Sequence, residues 1–177
     1  MDLPFIKINA EVIEAHRVDI EDLELLELNP TQLLIGPEGS AIALECDGQD
    51  YVYPVKDFEA TVLSYYATGL SDKGHIPTIY ELFKRTMEDI GMKLEKAVIE
   101  GKDGDVMYAR LVWRDRKHRV LTTPCTVVDS IVHSIDWKAP LFIVKRAISG
   151  LDVVDGWEYS DEMEDYSQDD DDGGEGV

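Results

Sequence analysis

Residues 124–144 read PCTVVDSIVHSIDWKAPLFIV, and this stretch decides the architecture. Thr126 followed three residues later by Asp129 is a helix-capping pattern, and Val127, Val128, Ile131, Val132 and Ile135 then recur at helical spacing. The Ala139-Pro140 step halts the helix, because the proline ring disfavours helical backbone in the residue before it. Leu141-Phe142-Ile143-Val144 then reads as a short buried strand.

Working outward, Val106 to Arg114 is the clearest strand. Met107, Ala109, Leu111 and Trp113 fall on one face, and Val106, Tyr108, Arg110, Val112 and Arg114 on the other. Asp115 to His118 turns it back into a strand over 120–123, while Leu94 to Glu100 precedes it across a Lys102-Asp103-Gly104 turn. Nearer the N-terminus, Gln32–Gly36, Ser40–Cys46 and Tyr51–Val55 form strands separated by Gly36-Pro-Glu-Gly39 and Asp47-Gly48. Pro54 marks the third as an edge or an end, since proline cannot donate to a ladder. Asp57 is placed to cap a helix reaching Gly69, with Phe58, Val62 and Tyr66 on one face. Thr78 with Glu81 forms a capping box for a further helix through Leu82, Phe83, Met87 and Ile90, ended by Gly91. Three strands and a helix thus occur twice, with the helix over 78–92 between them, which predicts an α+β domain of duplicated β3α units. Residues 5–14 alternate apolar and polar as a half-buried strand does.

The formal charge of −20 is concentrated at the ends. Residues 158–177 hold ten acids and no base, and residues 1–31 hold eight acids against Lys7 and Arg17. The middle, 32–157, keeps 19 acids against 15 bases, a net charge of −4 that suits an ordinary folded domain. The reading is therefore an acidic N-terminal extension (1–31), a domain (32–157) and a disordered acidic tail (158–177). The tail is either a solvating end or a nucleic-acid mimic competing for a basic groove. Cys46 and Cys125 are too few for a disulfide framework or a four-ligand zinc site. With no basic leader ahead of an apolar run and no segment of about 18 apolar residues, a cytoplasmic protein is expected.

Several segments carry a family resemblance. Asp129-Ser-Ile-Val-His133-Ser-Ile followed by Ala139-Pro-Leu-Phe-Ile143 resembles the SDAIxLAL helix and Ala-Pro-Ile-Phe-Val strand of the bifunctional nuclease domain family. Tyr53-Pro-Val-Lys-Asp-Phe58-Glu59-Ala60 is similar to its P-I-x-I-G-x-F-E-A segment, with Phe58, Glu59 and Ala60 retained and the preceding glycine replaced by Lys56. Pro77-Thr-Ile-Tyr-Glu81-Leu-Phe is similar to R-P-x-T-H-D-L-L, with Tyr80 at the His position and Glu81 at the Asp position. Asp103-Gly-Asp-Val-Met-Tyr108-Ala109 resembles the D-G-x-F-Y-A hairpin, and Thr126-Val-Val-Asp129 the R-P-S-D segment. The resemblance covers about Gln32 to Val154 and implies helices packed between two small antiparallel sheets. It also implies hydrolysis of DNA and RNA, and a homo-oligomer, most simply a dimer. The Arg, Pro and Ser before Asp129 and the His at Tyr80 are missing, and these are polar groups suited to handling phosphate or water.

Phosphodiester hydrolysis needs charge stabilisation at phosphate and an activated water, which carboxylates holding Mg²⁺ or Mn²⁺ commonly supply. Glu59, Glu81 and Asp129 stand near three helix starts and are the candidate catalytic acids, each with an alternative as a capping group. His133, one turn beyond Asp129, is a fourth candidate, or a structural histidine. Arg110, Arg114, Arg116, Lys117 and Arg119, with Lys56 and His118, supply a basic cluster for the phosphate backbone, with Trp113 or Tyr108 available for stacking. The alternative function is a non-catalytic protein-interaction or regulatory module on the same fold.

Overall fold

A computed structural model describes residues 23–37, 39–68, 78–104 and 106–153. Its elements run β1 (Leu25–Gly36), β2 (Gly39–Cys46), β3 (Gln49–Val55), α1 (Asp57–Ala67), α2 (Ile79–Asp89), β4 (Met92–Asp103), β5 (Val106–Asp115), β6 (Val120–Thr126), α3 (Val127–Trp137), β7 (Leu141–Val144), a 3-10 helix (Lys145–Gly150) and β8 (Asp152–Val153). The strands form one eight-stranded sheet in the order β6-β5-β4-β7-β1-β2-β3-β8.

The α+β class holds, but the sheet differs from the two antiparallel sheets expected. It is continuous and mixed, because β7 enters between the two meanders, parallel to β4 through Ala97–Ile99 and antiparallel to β1 through Leu25–Leu28. The order of three strands and a helix does occur twice along the chain.

Short-range chemistry explains the turns. Asp47 and Gly48 both take positive φ (51° and 81°), the backbone of a two-residue hairpin, and Glu45 Oε1 accepts from Gly48 N–H at 2.6 Å. Between β5 and β6, Asp115 Oδ1 accepts from the N–H groups of Lys117 and Arg119, both at 2.8 Å. Pro54 lies beyond the two residues, Tyr51 and Val52, that β8 pairs, so its missing N–H costs no ladder bond.

Burial follows the strand alternation in β5, where Met107, Ala109, Leu111 and Trp113 all enter the core. It does not follow the stripe expected on α1. Ala60, Leu63 and Tyr66 are buried there, whereas Phe58 is 65% exposed with Lys56 Nζ 6.0 Å from its ring centre. The helix also starts one residue after Lys56 rather than after Asp57. Its body packs on β1, β2 and α3, and α3 packs on β4, β5, β6 and β7. α3 is enclosed from Val127 through Ser134, apart from half-buried Asp129.

The expected boundary at residue 32 is also displaced. Leu25–Leu28, assigned by charge to the extension, are the half of β1 that pairs with β7, and Leu28 is 2% exposed. Acidity concealed this, because Glu24 and Glu27 flank the buried positions. The strand expected over 5–14, the tail over 158–177 and the loop with Gly69, Gly74 and Pro77 lie outside the described residues. Leu28→Ala should cost about 2–5 kcal/mol, the usual range for a cavity in a packed core. Chemical denaturation measures it, and a loss under about 0.5 kcal/mol would place residue 28 outside the cooperative core.

Candidate active site at the start of the third helix

The three candidate acids prove to be differently employed. Glu59 Oε2 accepts from the Lys56 N–H at 2.8 Å, and Glu81 Oε2 from the Thr78 N–H at 2.6 Å. Both carboxylates therefore satisfy a helix start, and Thr78 Oγ1 completes the second box by accepting from Glu81 N at 3.3 Å.

Asp129 stands in the same helical position yet reaches elsewhere. Its N–H donates to Thr126 Oγ1 at 3.1 Å, but its side chain leaves the N-cap backbone alone. Oδ2 instead accepts from the Thr126 hydroxyl at 2.8 Å, and Oδ1 accepts from the Tyr80 hydroxyl at 2.7 Å across the α2–α3 boundary. Half-buried, with the exposed Thr126 beside it, this carboxylate keeps access to solvent. A carboxylate oxygen has two lone pairs, so each keeps capacity for a water or a substrate hydroxyl.

Tyr80 is the residue the sequence did not single out for chemistry. Burial, then the hydrogen bond to Asp129 and its charge, push the phenol well above the ordinary tyrosine range, so it stays a donor. Its ring meets Tyr66 edge-on at 5.7 Å, and the Tyr66 hydroxyl is hydrogen-bonded to the Thr78 side chain. Glu59 also acts on the Tyr80 hydroxyl electrostatically, and Glu81 on that of Tyr66. The candidate acids thus share a neighbourhood without converging.

His133 is placed by packing. Its ring lies 5.3 Å from Tyr80, 5.3 Å from Phe83 and 6.2 Å from Trp113, and its Nδ1 is buried with no hydrogen-bond partner among the described residues. Burial lowers its pKa against the opposing charges of Asp129 and Asp136, so the neutral form predominates. The expected pairing with Asp129 is thus electrostatic.

The basic cluster is dispersed. Arg110 pairs with Glu100 (Nε to Oε1 2.9 Å) where both side chains are nearly covered, Arg114 holds Glu95 with two nitrogens at 2.6 and 3.0 Å, and Arg119 Nε meets Asp115 Oδ2 at 2.7 Å. Lys117 and His118 are exposed on the same turn, Lys56 belongs to the start of α1, and Arg116 lies over Gly91. Trp113, expected to be open for stacking, is fully buried and donates Nε1–H to Thr123 Oγ1 at 3.2 Å. The spacing that put it on the inner face of β5 also removed it from any substrate. Cys125 is pushed up to about 12 by burial and by the charges of Asp129 and Glu100, so it is a thiol rather than a nucleophilic thiolate.

A divalent cation finds no ready cage here. Among the described residues no three His, Cys, Asp or Glu side chains group as metal ligands, and Glu59 and Glu81 are already bonded to backbone N–H.

Two outcomes follow from burial. His133 has a folded pKa below its unfolded value, so the unfolded chain takes the proton first and stability falls once pH drops below about 6.5, by at most about 1.4 kcal/mol per pH unit. Melting curves between pH 7 and pH 5 should therefore fall less steeply for His133→Leu than for the unaltered chain, and equal slopes would assign the effect to another group. Arg110→Ala should cost about 3–5 kcal/mol, because it strands Glu100 in the core. Denaturant titration reads this directly, and a change within 0.5 kcal/mol would show Arg110 to be a dispensable surface cation.

The bifunctional nuclease domain model matches residues 40–153, which takes in every described element except β1 and the first residue of β2. No curated protein matches the chain. Among the described residues no helix is long and apolar enough to cross a membrane. A match over more than half of the chain's 177 residues, on a fold with its motif acid at the start of α3, places this chain in the bifunctional nuclease domain family.

Proposed function

We propose that the chain hydrolyses phosphodiester bonds of DNA and RNA, with Asp129 as the carboxylate that orients and deprotonates the attacking water. The observation that supports this reading is the Tyr80–Asp129–Thr126 bridge: all three motif acids are half-buried, but Glu59 and Glu81 each accept from an N-cap N–H, whereas both oxygens of Asp129 are held by hydroxyls. Tyr80 and Thr126 fix the carboxylate's orientation, which favours reaction geometry. Glu59 and Glu81 act indirectly, by fixing the starts of α1 and α2. His133 supports the Tyr80 ring as a positioning residue.

Asp129→Asn tests the assignment. A carboxamide retains size and one acceptor, so loss of helix-start stabilisation should stay within about 1 kcal/mol. Cleavage of labelled single- and double-stranded DNA and RNA should nevertheless fall by about two orders of magnitude or more, the scale of a lost general base. Each substrate is assayed with and without Mg²⁺ or Mn²⁺. Undiminished cleavage by a well-folded Asp129→Asn protein removes Asp129 from the chemistry.

A second reading, a non-catalytic interaction module that self-associates, draws on a different observation. Among the described residues β6 is an outer strand of the sheet, with Val120 50% and Leu121 53% exposed. An apolar, unpaired edge is a surface that proteins usually cover. On this reading a homodimer forms through β6, and light scattering should return about twice the 20.0 kDa chain mass. A monomer mass across a wide concentration range, together with absent cleavage, rejects both this assembly and the enzyme.

A further inference from the structure

The one phosphate-attracting feature that the Asp129 site lacks lies at the opposite ends of the same helices. An open cleft of about 590 Å³ is formed where the C-terminal turns of α2 and α3 meet the start of β4 and the β5–β6 turn. Lys84, Lys93, Arg116 and Lys138 line it, against Glu88 and Asp136. Lys84 Nζ donates to the Asp136 carbonyl at 2.6 Å and to its Oδ1 at 3.2 Å, which cancels one charge of each sign. The remainder is three cations against one acid, in a chain whose formal charge is −20.

Helix C-termini attract cations through their dipoles, and Lys84 meets that need at α3. The other three exceed it. Lys93, Arg116 and Lys138 are exposed, and none forms an ion pair among the described residues, in contrast to Arg110, Arg114 and Arg119. They come from three separate segments, and local geometry brings two of them in. Gly91 turns the chain at φ +79°, and a Cβ there would come within 3.0 Å of Arg116 Nε, so the absent side chain lets the guanidinium stem cross the turn. Lys138 stands at the left-handed end of α3, with φ 52°.

We infer that this cleft binds the phosphate backbone of a single nucleic-acid strand, through Lys93, Arg116 and Lys138. The inference rests on the nuclease reading and supplies the cations that reading needs. Asp129 and Trp137 are eight helical steps apart, about 12 Å, or roughly three to four nucleotide steps at 3.4 Å. α3 itself is enclosed, so a strand held in the cleft reaches the carboxylate over α2, where Ile79, Leu82, Arg85 and Thr86 are exposed. Recognition is of charge and not of base identity. Among the described residues of the lining the one aromatic side chain is Trp137, and it is already engaged by Lys84 Nζ 5.5 Å from its ring centre and by Trp113 edge-on at 5.5 Å.

The test is binding of fluorescein-labelled dT12 and rU12 to the full chain by anisotropy over a series of salt concentrations. Lys93→Glu, Arg116→Glu and Lys138→Glu should each weaken binding, the triple variant by about tenfold or more, and the triple should flatten the salt dependence by about two log units per log unit of salt. Arg146→Glu makes the same charge change on the 3-10 helix, at the far end of β4 from Lys93, and should leave affinity within about twofold. Melting temperature reports that each variant folds. A triple variant that binds within twofold of the unaltered chain overturns the cleft, as does an unaltered chain that binds neither oligonucleotide at low salt. Cleavage is scored separately. Cleft-dependent binding without hydrolysis sustains the cleft and removes the enzyme, whereas hydrolysis that the triple variant retains in full, with unaltered binding, removes the cleft and leaves the enzyme.

Discussion

Everything in this fold depends on β7 finding its place between β4 and β1. Four residues, Leu141–Val144, join two antiparallel meanders into one sheet, and three of them are buried. A four-residue strand cannot hold itself there, so its position is set by what precedes it. Ser134 Oγ donates to the Ala139 carbonyl at 2.6 Å, Ala139 N–H donates back to the Ser134 carbonyl at 3.0 Å, and the Pro140 carbonyl accepts from Ala97 at 3.0 Å. Backbone and hydroxyl together lock the exit of α3 to β4. Because α3 carries Asp129 at one end and this lock at the other, the geometry of the site is inherited from the geometry of the sheet.

Asp129 and the two glutamates show how one local pattern yields different chemistry. A threonine or an extended residue followed three positions later by an acid is a helix start, and the acid's default use is the N-cap N–H. Glu59 and Glu81 take that use. Asp129 has one methylene fewer, and a phenol from another helix stands within reach, so its carboxylate turns outward to hydroxyls. Tyr80, which the resemblance sets at a histidine position, offers Asp129 a hydrogen-bond donor that does not titrate near neutrality.

Much of this was legible in the chain itself, and the failures have specific causes. The β5 alternation, the Thr78 and Thr126 helix starts and the Asp47-Gly48 hairpin rest on interactions within a few residues, which a linear reading captures. The stop before β7 was read from Pro140, although Lys138 takes left-handed backbone at an expense of about 1–2 kcal/mol, unsignalled by glycine. Parallel pairing of β7 with β4 was illegible, since nothing in LFIV states which strands it enters between. Likewise the basic cluster is dense along the chain, but Arg110 and Arg114 face acids on a neighbouring strand, Glu100 and Glu95, that no spacing rule connects to them. The cleft is illegible for the converse reason: its cations, Lys93, Arg116 and Lys138, are far apart in sequence, and only Arg116 falls within the dense run.

The two-sided role of β1 has a consequence for what counts as a domain here. Asn29–Gly36 pairs with β2 and Leu25–Leu28 with β7, the ladder shifting register between Pro30 and Gln32. The family match begins at residue 40, after this strand has ended. A fragment cut to the matched residues would leave one edge of β2 and one edge of β7 without partners in the middle of the sheet, and would part β2 and β3 from the strand that joins them to β7 and β4. The matched segment is therefore smaller than the continuous sheet, and the piece it leaves out is a strand with acidic residues at its start.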